Sequence, residues 1–94
     1  MKVALLLMHV QLPGADSLKA KRRRLKPLLS RLHKEFNVSA AEVDLQDSWD
    51  DAVIGCSLVS TEAGAAESAL RKVATWVERH WHDVDLVEDR IELI

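Results

Sequence analysis

The sequence of 94 residues contains one cysteine, two prolines, three glycines and no tyrosine. The single cysteine, Cys56, excludes an internal disulfide and is typical of a protein kept in the reducing cytoplasm. The apolar run Val3–Met8 is shorter than the ~7–15 residues of a secretory signal core. No run approaches the ~18 apolar residues that a membrane helix needs. We therefore expect a cytoplasmic protein with no membrane partner.

Hydrophobic residues make up 48% of the chain and charged residues 30%, as in ordinary globular domains. One domain over residues 1–94 is expected, large enough to fold without a structural metal or cofactor. Apolar periodicity predicts two helices, the first over Leu18–Phe36 and the second starting between Ser60 and Gly64. It also predicts four strands, over Val3–Leu12, Val38–Leu45, Ala52–Val59 and Val84–Leu93.

The order β-α-β-β-α-β predicts a ferredoxin-like α+β sandwich: a four-stranded antiparallel sheet with both helices on one face. The strands at Val3–Leu12 and Ala52–Val59 form the inner pair and are apolar on both faces. One apolar face is therefore left without a helix, and we expect a homo-oligomer to form through it. Its predicted residues are Val3, Leu5, Leu7, Val53 and Val59.

Pro27 lies inside the first predicted helix, where it removes the hydrogen bond to the carbonyl of Arg23. Its angular position is opposite the apolar stripe, which favours a kink on the solvent side. The alternative is a first helix that ends near Lys26 and a second that starts at Pro27.

Charge is distributed unevenly along the chain, with nine basic residues and one acidic residue in positions 1–34. The remaining positions hold four basic and fourteen acidic residues. Such asymmetry indicates either an anionic partner for the first part or compensation within the chain. The basic helix is either a solvated face or a surface for RNA phosphates. Its candidate nucleic-acid contacts are Lys19, Lys21, Arg22, Arg23 and Lys26, of which Lys21 and Arg22 lie closest to the apolar stripe.

The other polar groups give weaker signals. The acidic residues from Glu42 to Asp51 match no calcium loop and indicate a solvated edge or a surface that faces a basic helix. Trp49, within this stretch, is either a lid on the core or a partner contact. His9 and Glu42 fall two strands apart, too far for a hydrogen bond. No metal site is expected, and base-specific stacking is not expected because the aromatic strand motif of RNA-recognition sheets is absent.

Several segments together resemble the YlxP-like family of small bacterial proteins, a domain of unknown function. They are Ser17–Lys19, Lys21–Arg23, Phe36–Ser39, Ala41–Asp44 and Gln46–Asp47 with Trp49. The resemblance implies a ferredoxin-like fold, and family members are often encoded among translation-initiation and ribosome-maturation genes. It implies no catalytic residues. Two departures are Pro27 and Leu45, the latter at a position that is often histidine.

Three functions are consistent with the sequence. The first is RNA or ribosome binding through the basic helix. The second is a dimeric protein-interaction module with Trp49 as its anchor and no nucleic-acid role. The third, an enzyme acting on a phosphate-bearing substrate near Ser17–Arg22, ranks last because no nucleophile and base occur together.

Overall fold

A computed structural model describes all 94 residues, and it has the predicted ferredoxin-like α+β fold. The four strands form one antiparallel sheet in the order β2-β3-β1-β4, with β1 and β3 as the inner pair. Both helices pack on the same face, α1 near β2 and α2 over β1 and β4. The elements are β1 (Lys2–Gln11), α1 (Leu18–Glu35), β2 (Ser39–Asp44), β3 (Asp51–Ser60), α2 (Ala63–His80) and β4 (Asp85–Leu93).

The core lies between the sheet and the helices, where alternate residues of β1 and β3 meet the two apolar helical stripes. Every second residue of β1 from Ala4 to Val10 is fully buried, as the period of a strand requires. The helices contribute residues three or four positions apart, which places them on one face of each helix. These are Leu25, Leu28 and Leu32 from α1 and Ala66, Leu70, Val73 and Val77 from α2. Neither helix has the apolar length that crossing a bilayer requires.

Helix α1 is continuous through Pro27, so the alternative of two separate helices is wrong. Pro27 is exposed, on the side away from the core. The missing N–H therefore leaves the carbonyl of Arg23 without its usual donor at a position that water reaches. The helix tolerates the proline because its core-facing leucines hold the turns on both sides.

Strand β2 differs from its prediction because a bulge interrupts its pairing with β3. Glu42 lies opposite Ile54 and Asp44 opposite Val53, with Val43 as the additional residue. Ile54 faces the core and Val53 the open side of the sheet, so Glu42 points towards the helices and Asp44 away from them. Strict alternation along the strand predicts Glu42 and Asp44 on the same face. The bulge at Val43 puts them on opposite faces instead.

Cys56 is fully buried in β3, as expected for a small core residue. Burial raises the pKa of its thiol to about 12, because a thiolate there would lose its hydration. An unfolded chain releases the same proton near pH 8.5. The protonated thiol therefore contributes full stability below about pH 8.5, and this contribution is lost as the pH rises towards 12.

We predict that this residue alone lowers the free energy of unfolding by about 2 kcal/mol between pH 8 and pH 10. Urea denaturation of the wild type and Cys56→Ala at pH 8, 9 and 10 measures the difference in slope. Cys56→Ala lacks this contribution and retains the effects of the lysines, and no tyrosine complicates the comparison. Parallel pH profiles for the two proteins would contradict the prediction.

Candidate nucleic-acid interface

Helix α1 carries eight basic residues and begins at a serine cap, where Ser17 Oγ accepts a hydrogen bond of 3.0 Å from the N–H of Ala20. The structure divides these cations into two groups. Lys21, Arg24 and Arg31 each contact an acidic group of the chain. The others are exposed and have no acidic group within 4.0 Å; they are Lys19, Arg22, Arg23, Lys26 and Lys34.

Lys21 is buried, with 1% of its side chain exposed. Its ammonium donates to the backbone oxygens of Leu45 at 2.9 Å, Asp51 at 3.0 Å and Gln46 at 3.4 Å. Glu42 Oε2 lies 2.8 Å from Nζ, and this ion pair compensates the buried charge. The prediction of Lys21 as a nucleic-acid contact is thereby corrected, since its three protons are directed into the protein.

The geometry of Lys21 also explains why a charge is tolerated in the core. A buried ammonium without partners is very costly, whereas carbonyls and a carboxylate together replace its water. In return, Lys21 satisfies backbone oxygens at both ends of the loop of residues 45–50 that joins β2 to β3. We call this arrangement of Lys21, Glu42 and the three backbone oxygens the lysine clamp.

Arg24 is a second fixed cation, although the sequence suggests a solvated one. Its guanidinium donates to Asp83 Oδ2 at 3.0 Å, to the Asp83 backbone oxygen at 2.7 Å and to the Pro13 backbone oxygen at 2.7 Å. These bonds join α1 to the loop before it and to the loop between α2 and β4. A planar guanidinium suits such divergent acceptors better than a lysine does.

Arg31 completes the set of engaged cations. It bonds Glu35 at 3.0 Å, one turn further along α1. Its guanidinium also lies over the rings of Trp76 and Trp81, at 5.5 and 5.9 Å from their centroids. Phe36 packs edge-on against Trp76, so Arg31 covers an aromatic cluster that joins the ends of the two helices.

Four of the exposed cations line one shallow groove of about 440 Å³ between α1 and the edge of β2. Apolar contributions come from Leu25 and Leu29, and Glu42 is the one acidic residue that lines it. We call this the basic groove; its cations are Lys19, Arg22, Arg23 and Lys26. These four sequence-predicted residues are therefore brought together, whereas Lys21 lies beneath them in the lysine clamp.

Charge is also segregated between the layers of the fold. Eleven of the thirteen basic residues lie on the two helices, and twelve of the fifteen acidic residues lie on strands and loops. The open face of the sheet combines apolar residues with acidic ones such as Asp51, Glu88 and Glu92. An anion therefore encounters an attractive helical layer and a repulsive sheet face.

Trp49 does not act as a lid on the core. Its side chain is 57% exposed in the loop of residues 45–50. The loop is nevertheless ordered: Leu45 O accepts from Ser48 N at 3.0 Å, and Ser48 Oγ accepts from Asp51 N at 3.2 Å. A large apolar ring is thus held in solvent by a defined turn, which is unusual for tryptophan.

His9 pairs with Asp51 on the open face, an interaction that sequence reasoning did not find. His9 Nε2 lies 2.8 Å from Asp51 Oδ1, and both side chains are partly exposed. His9 and Glu42 lie two strands apart, as the predicted strand order requires. The pairing depends on the β1–β3 register, in which Gln11 lies opposite Asp51 and His9 is its diagonal neighbour. Alternation alone does not determine that register.

Comparison with known proteins confirms the resemblance to YlxP-like proteins. The model of a family described as "Protein of unknown function (DUF503)" matches residues 3–91. The chain belongs to this family. It is also 38% identical over 64 residues to "Uncharacterized protein YlxP" of Bacillus subtilis (strain 168), a match that covers 68% of this chain and 70% of that protein. Neither description names an activity, and the surface features of this DUF503 protein that point to a function are the basic groove and the open face of the sheet.

The lysine clamp makes a quantitative prediction for this DUF503 domain. Lys21→Met removes the ammonium but keeps the side-chain length, leaving the Glu42 carboxylate and the loop carbonyls without their cation. We expect the free energy of unfolding to fall by about 3–5 kcal/mol, as when one partner of a buried ion pair is removed. Urea denaturation monitored by circular dichroism measures the change.

The double variant Lys21→Met/Glu42→Gln tests the cause of this loss. It removes the uncompensated carboxylate, so we expect it to be more stable than Lys21→Met alone. Lys34→Met is a matched control on the exposed side of α1 and should change stability by less than about 0.5 kcal/mol. A Lys21→Met protein as stable as this control would refute the lysine clamp.

Proposed function

We propose that this protein binds the sugar–phosphate backbone of RNA through the basic groove. The observation that carries the proposal is the set of four exposed cations without intramolecular acidic partners, gathered along one side of α1. Binding phosphates requires clustered lysine and arginine side chains that are free to exchange counterions for the ligand. Engaged cations such as Lys21 and Arg24 do not meet this requirement.

The spacing of the groove cations supports contact with an extended polyanion. Lys19 and Lys26 are seven residues apart, which corresponds to about 10.5 Å along a helix axis. Arg22 and Arg23 lie between them and add two guanidinium groups that can each bind a phosphate through two hydrogen bonds. A row of this length suits consecutive phosphates better than a single small anion.

The charge of the two layers favours the helices as the RNA-binding side. RNA-recognition domains of similar topology bind RNA on the open sheet, through aromatic residues on the strands. The open sheet of this protein carries no aromatic residue and includes several carboxylates. Binding on the helical side therefore suits this chain, with recognition through the backbone and shape of the RNA.

We propose RNA rather than another polyanion as the ligand because YlxP-like proteins are often encoded beside genes for translation initiation and ribosome maturation. Ribosomal RNA is therefore the first ligand to examine, and the cytoplasm is the proposed location. Co-sedimentation with ribosomal subunits at low salt, and its loss at high salt, would extend the proposal from RNA to the ribosome.

The test is the double charge reversal Arg22→Glu/Lys26→Glu, compared with Lys72→Glu/Arg79→Glu on α2. All four residues are exposed and none has an acidic partner within 4.0 Å, so net charge changes equally in both variants. We expect at least about tenfold weaker binding of a ribosomal RNA fragment for the groove variant. For this variant, the slope of log Kd against the logarithm of the salt concentration should be smaller by about two, one for each lost phosphate contact.

Fluorescence anisotropy with labelled RNA at several KCl concentrations measures both quantities. The α2 variant should lose only the smaller, general effect of net charge. Equal losses in the two variants would mean that the groove has no special role. Absence of binding by the wild type at 50 mM KCl would refute RNA binding itself.

A second candidate function is a dimeric interaction module that uses the open sheet face. Val59 is 66% exposed and Val43 47% exposed on this face, next to the partly buried Leu5 and Leu7. Three strands about 30 Å long and β2, about 20 Å long, lie about 4.8 Å apart and present roughly 550 Å². This approaches the ~800 Å² that each partner contributes to a standard interface, so the proposed occupant is a second copy of the chain.

We predict that Val59→Glu shifts the protein towards monomer, because it places a charge on the most exposed apolar residue of this face. Sedimentation equilibrium should give twice the 10.6 kDa chain mass for the wild type and a lower value for Val59→Glu. Val59→Thr, of similar shape, is the control and should remain closer to the wild type. A wild type that is monomeric at 100 μM would exclude this dimer.

A further inference from the structure

Trp49 lies in the loop that the lysine clamp holds against α1, and this placement carries an inference that rests on the proposed RNA binding. Glu42 belongs to both features, since it lines the groove and compensates Lys21 in the lysine clamp. The loop with Trp49 is therefore bonded to Lys21, whose ionic partner Glu42 lines the groove. Trp49 is two residues from Asp51, whose backbone oxygen lies 3.0 Å from Lys21 Nζ.

Chain geometry keeps this tryptophan close to the groove. Two peptide units span at most about 7.6 Å between Cα atoms, so the Cα atom of Trp49 stays within that distance of the Cα atom of Asp51 in the lysine clamp. Arg22 follows Lys21 on α1 and Lys19 precedes it by two positions, both on the exposed side. The Trp49 loop is thus joined through Lys21 to the turn of α1 that carries these cations.

The loop also holds the ring in a defined position. Leu45 has a positive φ of 60°, and the Asp44 carboxylate accepts a hydrogen bond of 2.8 Å from its N–H. Ser48 and the lysine clamp fix the rest of the turn, while the indole itself is left exposed. An ordered loop that presents an uncovered aromatic ring has lost most of its conformational freedom before binding, which favours affinity.

We infer that Trp49 stacks on an unpaired base of a single-stranded RNA segment whose backbone follows the basic groove. Aromatic rings combined with a basic channel are the usual means of binding single strands without sequence preference. A base inside a duplex is already stacked on both sides and offers no free face to the ring. The ligand class is therefore single-stranded RNA, or the unpaired loops and ends of folded RNA.

The acidic residues around Trp49 set the orientation of the nucleotide. Asp47 and Asp50 are exposed on either side of it in the chain. They repel phosphates from the loop, while the cations of α1 attract them to the groove. The backbone accordingly lies along α1 and the base extends towards the loop, where the indole is the available apolar surface. The same acids disfavour a position of the phosphates over the tryptophan itself.

The experiment compares a 12-nucleotide single-stranded RNA with the same RNA annealed to its complement. Trp49→Ala should weaken binding of the single strand by about 5- to 100-fold and leave duplex binding and the salt slope unchanged. Trp49→Phe, which keeps a ring, should retain most of the single-strand affinity. Because Trp49 is exposed, its replacement should leave the fold intact, and equal melting temperatures of the variants would verify this.

Tryptophan fluorescence provides a second readout. Single-stranded RNA should quench the emission of the wild type, and Trp49→Phe should lose this quenching because Trp76 and Trp81 remain in the helical cluster. Unchanged single-strand affinity in Trp49→Ala, or quenching that persists in Trp49→Phe, would overturn the inference. In that case Arg22→Glu/Lys26→Glu would still reduce binding. If wild type binds neither RNA form, the proposed function fails together with the inference.

Discussion

The buried ammonium of Lys21 links α1, the edge strand β2 and the start of β3, in addition to the sheet pairing and the core packing that hold them together. It lies on α1, its ionic partner Glu42 is on β2, and the carbonyls that it binds belong to the start of β3 and the preceding loop. Asp51 extends the connection across the sheet, since its backbone oxygen contacts Lys21 and its carboxylate contacts His9. The position of the Trp49 loop and one wall of the basic groove both follow from this buried cation.

The lysine clamp also explains how one chain carries basic helices and acidic strands and loops without pairing all of their charges. Three cations of α1, Lys21, Arg24 and Arg31, pair with acidic residues of the domain. The first two pairs join α1 to β2 and to the loop before β4, and the third lies within α1. The hairpin loop is held to Lys21 by its backbone oxygens, and its acidic residues Asp47 and Asp50 form no ion pair with α1. The outer cations of α1 consequently keep their charge available, and internal compensation is only partial.

Periodicity predicts the fold and most of the core, because burial of one strand face or one helical stripe repeats at fixed intervals. The same angular reasoning places Lys21 near the apolar stripe, although it does not identify the acceptors that make its burial possible. Arg24 is not identified as fixed, because its acceptors Pro13 and Asp83 come from loops whose paths no pattern specifies. The bulge at Val43 and the His9–Asp51 pair depend on strand register, which arises from packing across the whole sheet.

The two proposed activities use different layers of the sandwich and do not compete for surface. The basic groove lies at the helical side, whereas the apolar residues of the open face lie on the other side of the sheet. Two copies joined through their sheets would display two basic grooves on opposite sides of the dimer. A long RNA that reaches both would bind more tightly than one groove allows, because the second contact becomes intramolecular. A dimer formed through the apolar residues of the sheet would therefore gain from keeping the cations on the helices.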